Sequence, residues 1–121
     1  MLNRRIEEES IIFEEESAIV LSIEEKSTEQ GILLMMSGQL RSELAHDIQD
    51  ELVALATVGV NIIVDLEKVT YISPTTQHVF LRTQQKIDAM GKGSLLLRKL
   101  SNEIYREFEN TGVSELLLIE T

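Results

Sequence analysis

Short apolar runs alternate with longer segments of helical spacing from Ile32 to the end of the chain. The run Ile62–Val64 constrains the fold more than any other, because consecutive β-branched residues without polar alternation are typical of a central strand that is covered on both faces. From Ile32 onward the order is strand, helix, strand, helix, strand, helix, strand. We therefore predict a layered α/β domain with right-handed crossovers.

Three segments have the start and stop signals of helices. Ser42 is the candidate N-cap of the first, Ser73 followed by Pro74 opens the second, and Ser101 caps the third. A glycine near the C-terminal end of each of these segments can end the helix. The predicted helices run from Ser42 to Gly59, from Ser73 to about Met90 and from Ser101 to about Asn110. On the second helix the residues predicted to face inward are Val79, Phe80, Thr83, Ile87 and Met90.

The N-terminal part has a different pattern. Residues 18–23 favour a strand, and residues 27–31 have turn chemistry before the apolar run Ile32–Met36, so a hairpin of two strands is predicted. Residues 1–16 contain two acidic clusters and are compatible with a helix, a first strand or a frayed tail. We predict an acidic N-terminal extension or edge strand over residues 1–16 and a single domain over residues 17–121.

Negative charge is concentrated near the N-terminus of a chain whose net charge is −10. Residues 1–30 carry nine glutamates against three basic residues. Nucleic-acid phosphates and anionic lipids would repel such a chain, whereas a basic protein partner would be attracted. The chain has no cysteine, and no apolar run approaches the roughly 18 residues of a membrane span. We expect a cytoplasmic protein that binds no nucleic acid and does not insert into a membrane.

No set of catalytic or metal-binding residues can be assembled from the sequence. A glycine-rich phosphate loop is absent, and His46 and His78 fall on different predicted helices without ligand partners at a recognised spacing. His46 and Asp50, at i and i+4, favour a surface pair. A phosphoacceptor role for Asp65 would need an acidic pair after an early strand, where the chain has Ser37-Gly38-Gln39. We predict no enzyme activity, no metal and no cofactor.

The turn Ser73-Pro74-Thr75-Thr76 is the candidate functional surface. Ser73 as N-cap can accept a hydrogen bond from an unpaired amide, and Pro74 at the first helical position has no amide to leave unpaired. The hydroxyl of Thr75 then lies in the first turn, where the helix dipole favours an added anion. A phosphate there would add roughly two negative charges and would break or create a protein contact. From the local sequence alone, a well-capped helix start remains the alternative.

Three features occur together over residues 31–121. The first is a strand ending in Gly38-Gln39-Leu40, the second is Ile62–Leu66 followed by Val69–Ile72 and the polar turn, and the third runs from Gly91 to Thr111-Gly112-Val113. In this order they resemble the STAS family, the domain shared by sulphate transporters and bacterial anti-sigma factor antagonists. The resemblance implies the STAS fold: α/β, a mixed central sheet with parallel core strands, an N-terminal hairpin and about three main crossover helices.

The resemblance also implies a phosphorylation site. In antagonist members the turn typically reads Asp-Ser-Ser-Gly, and the second serine is phosphorylated by a partner kinase that is also the anti-sigma factor. Thr75 takes the position of that serine. Arg41 stands where the family has an acid, and Thr76 and Gln77 stand where it has glycine and leucine. The implied partner-binding residues are Gly38, Arg41, Tyr71, Ser73, Pro74, Thr75, Thr76 and Gln77.

Two functions from different classes follow from the resemblance. In the first, the unphosphorylated protein binds a kinase-like anti-sigma factor, and phosphate on Thr75 ends the contact. In the second, the chain is a non-phosphorylated STAS scaffold subunit of a larger lipid-transport or stress-sensing assembly. Small-ligand binding or enzyme activity forms a third class, and a homodimer is an open alternative for the oligomeric state.

Overall fold

The computed structural model describes residues 2–120. Within these residues seven strands lie side by side in the sheet, in the same order as in the sequence. Each neighbouring pair from β1 to β4 is antiparallel, and each pair from β4 to β7 is parallel. The predicted mixed sheet with parallel core strands and an N-terminal hairpin is confirmed. The strands are β1 Leu2–Glu7, β2 Ser10–Glu15, β3 Ala18–Thr28, β4 Gly31–Leu40, β5 Asn61–Ile72, β6 Ser94–Arg98 and β7 Leu118–Glu120.

The three crossovers contain the three predicted helices, which are α1 Ala45–Val58, α2 Pro74–Met90 and α3 Asn102–Thr111. The side chains of Ser73 and Ser101 cap α2 and α3, because each accepts a hydrogen bond from the amide three residues further on. The expected cap at Ser42 is wrong. Ser42 lies inside a short 3₁₀ turn that precedes α1, and within residues 2–120 no side chain caps that turn or α1.

One hydrophobic cluster joins the helices to a single face of the sheet. It contains Leu52 of α1, Phe80 of α2 and Phe108 of α3, together with alternate strand residues such as Val64 and Leu97. The rings of Phe80 and Phe108 lie 6.4 Å apart between centroids. Of the residues predicted to face inward from α2, four are buried, whereas Met90 in the last helical turn is 42% exposed.

The opposite face of the sheet carries no helix in the described part of the chain. Ile63 is buried there by its neighbours, but it lies outside the core cluster. The register places it in a row across the four parallel strands, between Leu33 and Leu96, with Leu118 at the edge. β5 is thus buried on both faces over Ile62–Leu66, but helices cover only one of them, because strands placed in consecutive order with crossovers of one hand put all three helices on the same side.

An antiparallel hairpin of β1 and β2 widens the sheet beyond β3. Phe13 anchors this hairpin, since its side chain is only 2% exposed and belongs to the core. Arg4 of β1 lies 3.5 Å from Glu51 of α1, and Arg5 forms ion pairs with glutamates of the hairpin itself. The hairpin turns at its far end through Glu8, a non-glycine residue with φ of 50°.

The strands differ from the predicted ones mainly in length. β4 and β5 continue well past the apolar runs that identified them, and β5 extends beyond Leu66 to Ile72 as one strand of 12 residues. The last strand is short, because residues 113–115 form a 3₁₀ turn and pairing with β6 begins only at Leu118.

Truncation of Leu52 tests the one-sided core. Leu52 is fully buried under the sheet, so Leu52→Ala should lower the free energy of unfolding by about 2–5 kcal/mol through lost contacts and a residual cavity. Val58, on the same helix, is 69% exposed. Val58→Ala should therefore change stability by no more than about 0.5 kcal/mol. Urea unfolding followed by circular dichroism measures both, and equal losses would contradict this packing.

Candidate functional site

The candidate turn is held at the carboxyl ends of two neighbouring parallel strands. Leu40 at the end of β4 lies opposite Ile72 at the end of β5. The amide of Ser73 donates to the carbonyl oxygen of Leu40 at 3.0 Å, which extends the pairing by one step beyond β5. Because parallel strands end at the same edge of a sheet, this bond fixes where α2 starts relative to the chain that follows β4.

Hydroxyl groups complete the start of α2. The Ser73 side chain accepts from the Thr76 amide at 3.1 Å and lies 2.9 Å from the Thr76 hydroxyl. That hydroxyl donates in turn to the Leu40 carbonyl oxygen at 3.1 Å. Both side chains are fully buried, so every bond of this network forms away from water, where an unpaired polar group would be costly.

Thr75 lies between these two buried residues and faces solvent. Pro74 and Thr75 are exposed, and no acidic residue occurs in the first turn of α2. The Thr75 hydroxyl is therefore accessible, and no neighbouring carboxylate in that turn would repel an added anion. The turn displays one hydroxyl outward and buries the other two.

Gln77 has an internal role. Its side chain is fully buried, and its Oε1 accepts a hydrogen bond of 2.6 Å from the Thr111 hydroxyl at the end of α3. The side-chain nitrogen Nε2 of Gln77 is buried without a hydrogen-bond partner in the described residues. Of the residues implied to contact a partner, Ser73, Thr76 and Gln77 thus present no side-chain surface in this structure and instead shape the turn from within.

Gly38 serves the backbone of β4. Its φ is +115°, and an added Cβ would lie 2.2 Å from the carbonyl oxygen of Val20 on β3. The Gly38 carbonyl also accepts a hydrogen bond of 3.3 Å from the Thr70 hydroxyl. Glycine is required here for the close approach of β3 and β4, and this structural requirement is separate from any contact of Gly38 with a partner.

Arg41 and Tyr71 flank the turn on the surface. Tyr71 is 48% exposed on β5 and lies opposite Gln39 of β4. Arg41 is half-buried; its Nε donates to Gln39 Oε1 at 2.9 Å, and its Nη1 lies 3.5 Å from Glu15 Oε1. Of the residues implied to contact a partner, Pro74, Thr75, Tyr71 and Arg41 thus expose side chains near the carboxyl ends of β4 and β5, with Tyr71 beside Glu103 and Glu107 of α3 and Arg41 beside Glu15.

Other residues considered from the sequence lie elsewhere. The pair of His46 and Asp50 is confirmed as an exposed surface pair with 3.6 Å between Nε2 and Oδ2. Asp65 is 8% exposed on the helix-free face of the sheet, within 4 Å of Arg98 and Lys99. Among residues 2–120, no cluster of three or more histidine and acidic side chains could hold a metal ion, and no helix is long and apolar enough to cross a membrane.

Comparison with known proteins places these features in a family context. A family model described as the STAS domain matches residues 21–121. A curated relative, the anti-sigma-B factor antagonist of Bacillus subtilis (strain 168), is 29% identical over 97 residues, which cover 80% of this chain and 88% of the relative. The hairpin strands β1 and β2 lie before the part that the family model matches.

Solved structures share the fold. A candidate anti-sigma factor antagonist from Thermotoga maritima superposes with a TM-score of 0.72 at 22% identity, over 82% of this chain and 86% of that one. The anti-sigma factor antagonist SpoIIAA in its unphosphorylated form gives 0.67 at 14% identity, over 82% and 88%. Its phosphorylated form, from Bacillus, gives 0.61 at 15% identity, over 82% and 91%.

The two threonines of the turn are matched positions for a stability test. Thr76→Val keeps the shape but removes the hydroxyl that donates to Leu40, so the free energy of unfolding should fall by about 1–3 kcal/mol. Thr75→Val removes an exposed hydroxyl and should change it by no more than about 0.5 kcal/mol. Chemical denaturation of both variants measures the difference, and the reverse ranking would show that the two side chains are exchanged in orientation.

Gly38→Ala tests the structural reading of Gly38. Left-handed backbone costs alanine about 1–2 kcal/mol, and the overlap with Val20 should add about 1–3 kcal/mol. Gly91→Ala is the matched control, since Gly91 has a φ of +67° but nothing within 4 Å of an added Cβ. Thermal unfolding should show a larger loss for the first variant, and losses of equal size would mean that β3 and β4 are not in such close contact.

Proposed function

The chain belongs to the STAS domain family, and we propose that it is a regulatory protein-binding module that acts by partner switching. In this proposal the unphosphorylated protein binds a kinase-like anti-sigma factor through the surface around Thr75. Phosphorylation of Thr75 by that kinase ends the contact. The protein itself catalyses no reaction, and its activity belongs in the cytoplasm, where the kinase has ATP.

The observation that carries this proposal is the orientation of the three hydroxyl groups in the turn. Ser73 and Thr76 are buried and hydrogen-bonded, whereas Thr75 is exposed at the second position of α2. A kinase therefore has one accessible hydroxyl in a rigid backbone setting. The phosphate would stand where unpaired helix amides can stabilise it.

Charge supports the choice of a protein partner with a basic binding face. The chain has a net charge of −10, and Glu15 lies beside Arg41 at the edge of the surface around Thr75. Such a field raises the rate of encounter with a basic face and repels nucleic acid. A phosphate placed in that contact would add roughly two charges where they must be desolvated, which favours release.

A scaffold role without phosphorylation is the second candidate, and the same hydrogen-bond network favours it. The turn is held by bonds from Ser73 and Thr76 to Leu40 in the unmodified chain, so it offers a stable docking surface that needs no phosphate. In that case the chain would be a binding subunit of a lipid-transport or stress-sensing assembly.

Phosphorylation of Thr75 can be tested with the kinase encoded beside the gene for this chain. After incubation with ATP, mass spectrometry should locate one phosphate on Thr75, and the Thr75→Ala variant should remain unmodified. Binding measured by calorimetry should weaken at least about tenfold on phosphorylation, because the phosphate would have to be desolvated in the contact.

Ser42→Ala is the matched control, since Ser42 is another exposed hydroxyl in the segment after β4. This variant should be phosphorylated and released as the native chain is. Partner switching would be rejected if the affinity stayed the same after stoichiometric phosphorylation of Thr75. It would also be rejected if the kinase that binds the chain did not modify Thr75. Either result would leave the scaffold role as the explanation.

A further inference from the structure

Arg41 connects two parts of the molecule that are distant in sequence. Its guanidinium group bonds Gln39 and lies 3.5 Å from Glu15, the last residue of β2. Its backbone directly follows Leu40, whose carbonyl accepts from both Ser73 and Thr76. The side chain thus points to the N-terminal hairpin, and the main chain adjoins the Thr75 turn.

The bond between Arg41 and Glu15 is easily exchanged. The two side chains are 28% and 41% exposed, and an ion pair with this much solvent contact contributes little to stability. A phosphate is a stronger partner for arginine, because two parallel charge-assisted hydrogen bonds match the planar guanidinium group. Arg41 follows Leu40, whose carbonyl oxygen lies 3.1 Å from the hydroxyl of Thr76, the residue after Thr75, so a change of rotamer can turn the long Arg41 side chain toward a phosphate on Thr75.

The turn between β2 and β3 depends on the contacts around it. β2 is joined to β3 by Glu16 and Ser17, two non-glycine residues with φ of 50° and 68°. Such residues occupy a sparsely populated backbone region, and they persist where surrounding contacts hold them. Ile19, just beyond this turn, is 59% exposed at the same end of the sheet as Thr75.

We propose that Arg41 is a positioning residue that exchanges Glu15 for the phosphate on Thr75 and thereby loosens the turn between β2 and β3. This inference rests on the proposed phosphorylation of Thr75. It extends the effect of the phosphate from one hydroxyl to the neighbouring hairpin end, which carries Glu15, Glu16 and the exposed Ile19. The body of the hairpin stays in place, because Phe13 is buried in the core and Arg4 pairs with Glu51.

The exchange can be measured without any partner protein. Phosphothreonine is incorporated at position 75 during translation, and nuclear magnetic resonance follows the Arg41 Nε–H signal and backbone amide exchange over residues 14–19. With phosphate, the Arg41 signal should shift and exchange more slowly with solvent. Amide exchange at residues 15–18 should become roughly two- to fivefold faster, as expected for loss of one exposed ion pair.

Variants separate positioning from a general structural effect. Arg41→Gln should speed exchange at residues 15–18 without phosphate, and phosphate should then add nothing. Arg41→Lys should restore part of the response, because it keeps the charge but not the bidentate geometry. Arg82→Gln is the matched control, since Arg82 is an exposed arginine of α2 that bonds Gln49.

The proposed exchange of partners would be overturned if the Arg41 signal were unchanged in the phosphorylated protein. It would also be overturned if phosphate sped amide exchange at residues 15–18 equally in the Arg41→Gln variant. Failure of this exchange can be distinguished from failure of the proposed function. Because the phosphate is installed during synthesis, the exchange can be observed even if no kinase modifies Thr75, and it can fail while phosphorylation still releases the partner.

Discussion

The carbonyl oxygen of Leu40 is the contact on which the candidate surface depends. It accepts the Ser73 amide and the Thr76 hydroxyl, so one acceptor at the end of β4 fixes both the last step of β5 and the first turn of α2. With Ser73 and Thr76 held inward by these bonds, Thr75 between them must face solvent. A buried hydrogen-bond network of this kind holds a single geometry, because any displaced member would be left unpaired.

The order of the strands places that contact where a partner can reach it. Parallel strands bring the carboxyl ends of β4 and β5 to one edge of the sheet, and the helices that follow them begin there. The same consecutive order covers one face with helices and leaves the row from Leu33 to Leu118 on the other. The acidic hairpin widens the sheet beside this edge, and through Glu15 it reaches the arginine that flanks the turn.

Several details of the site could have been predicted from spacing. Thr76, Phe80, Thr83 and Ile87 recur at three- and four-residue intervals, which indicates that Thr76 belongs to the buried stripe of α2 rather than to its surface. Met90 continues the stripe in the last turn of α2 but is 42% exposed. The failed cap at Ser42 has a different cause, because the chain tightens into a 3₁₀ turn before α1 begins.

The sequence by itself determined the helices and strands from residue 18 onward, their order, the caps at Ser73 and Ser101, and the presence of a hydroxyl at position 75. These depend on interactions that reach only a few residues along the chain, such as caps, turns and apolar periodicity. Only the tertiary structure decided that Gln77 is internal, that one face of the sheet carries no helix, and that Arg41 pairs with Glu15. Those outcomes depend on strand register and on contacts between distant segments, which local residue patterns do not specify.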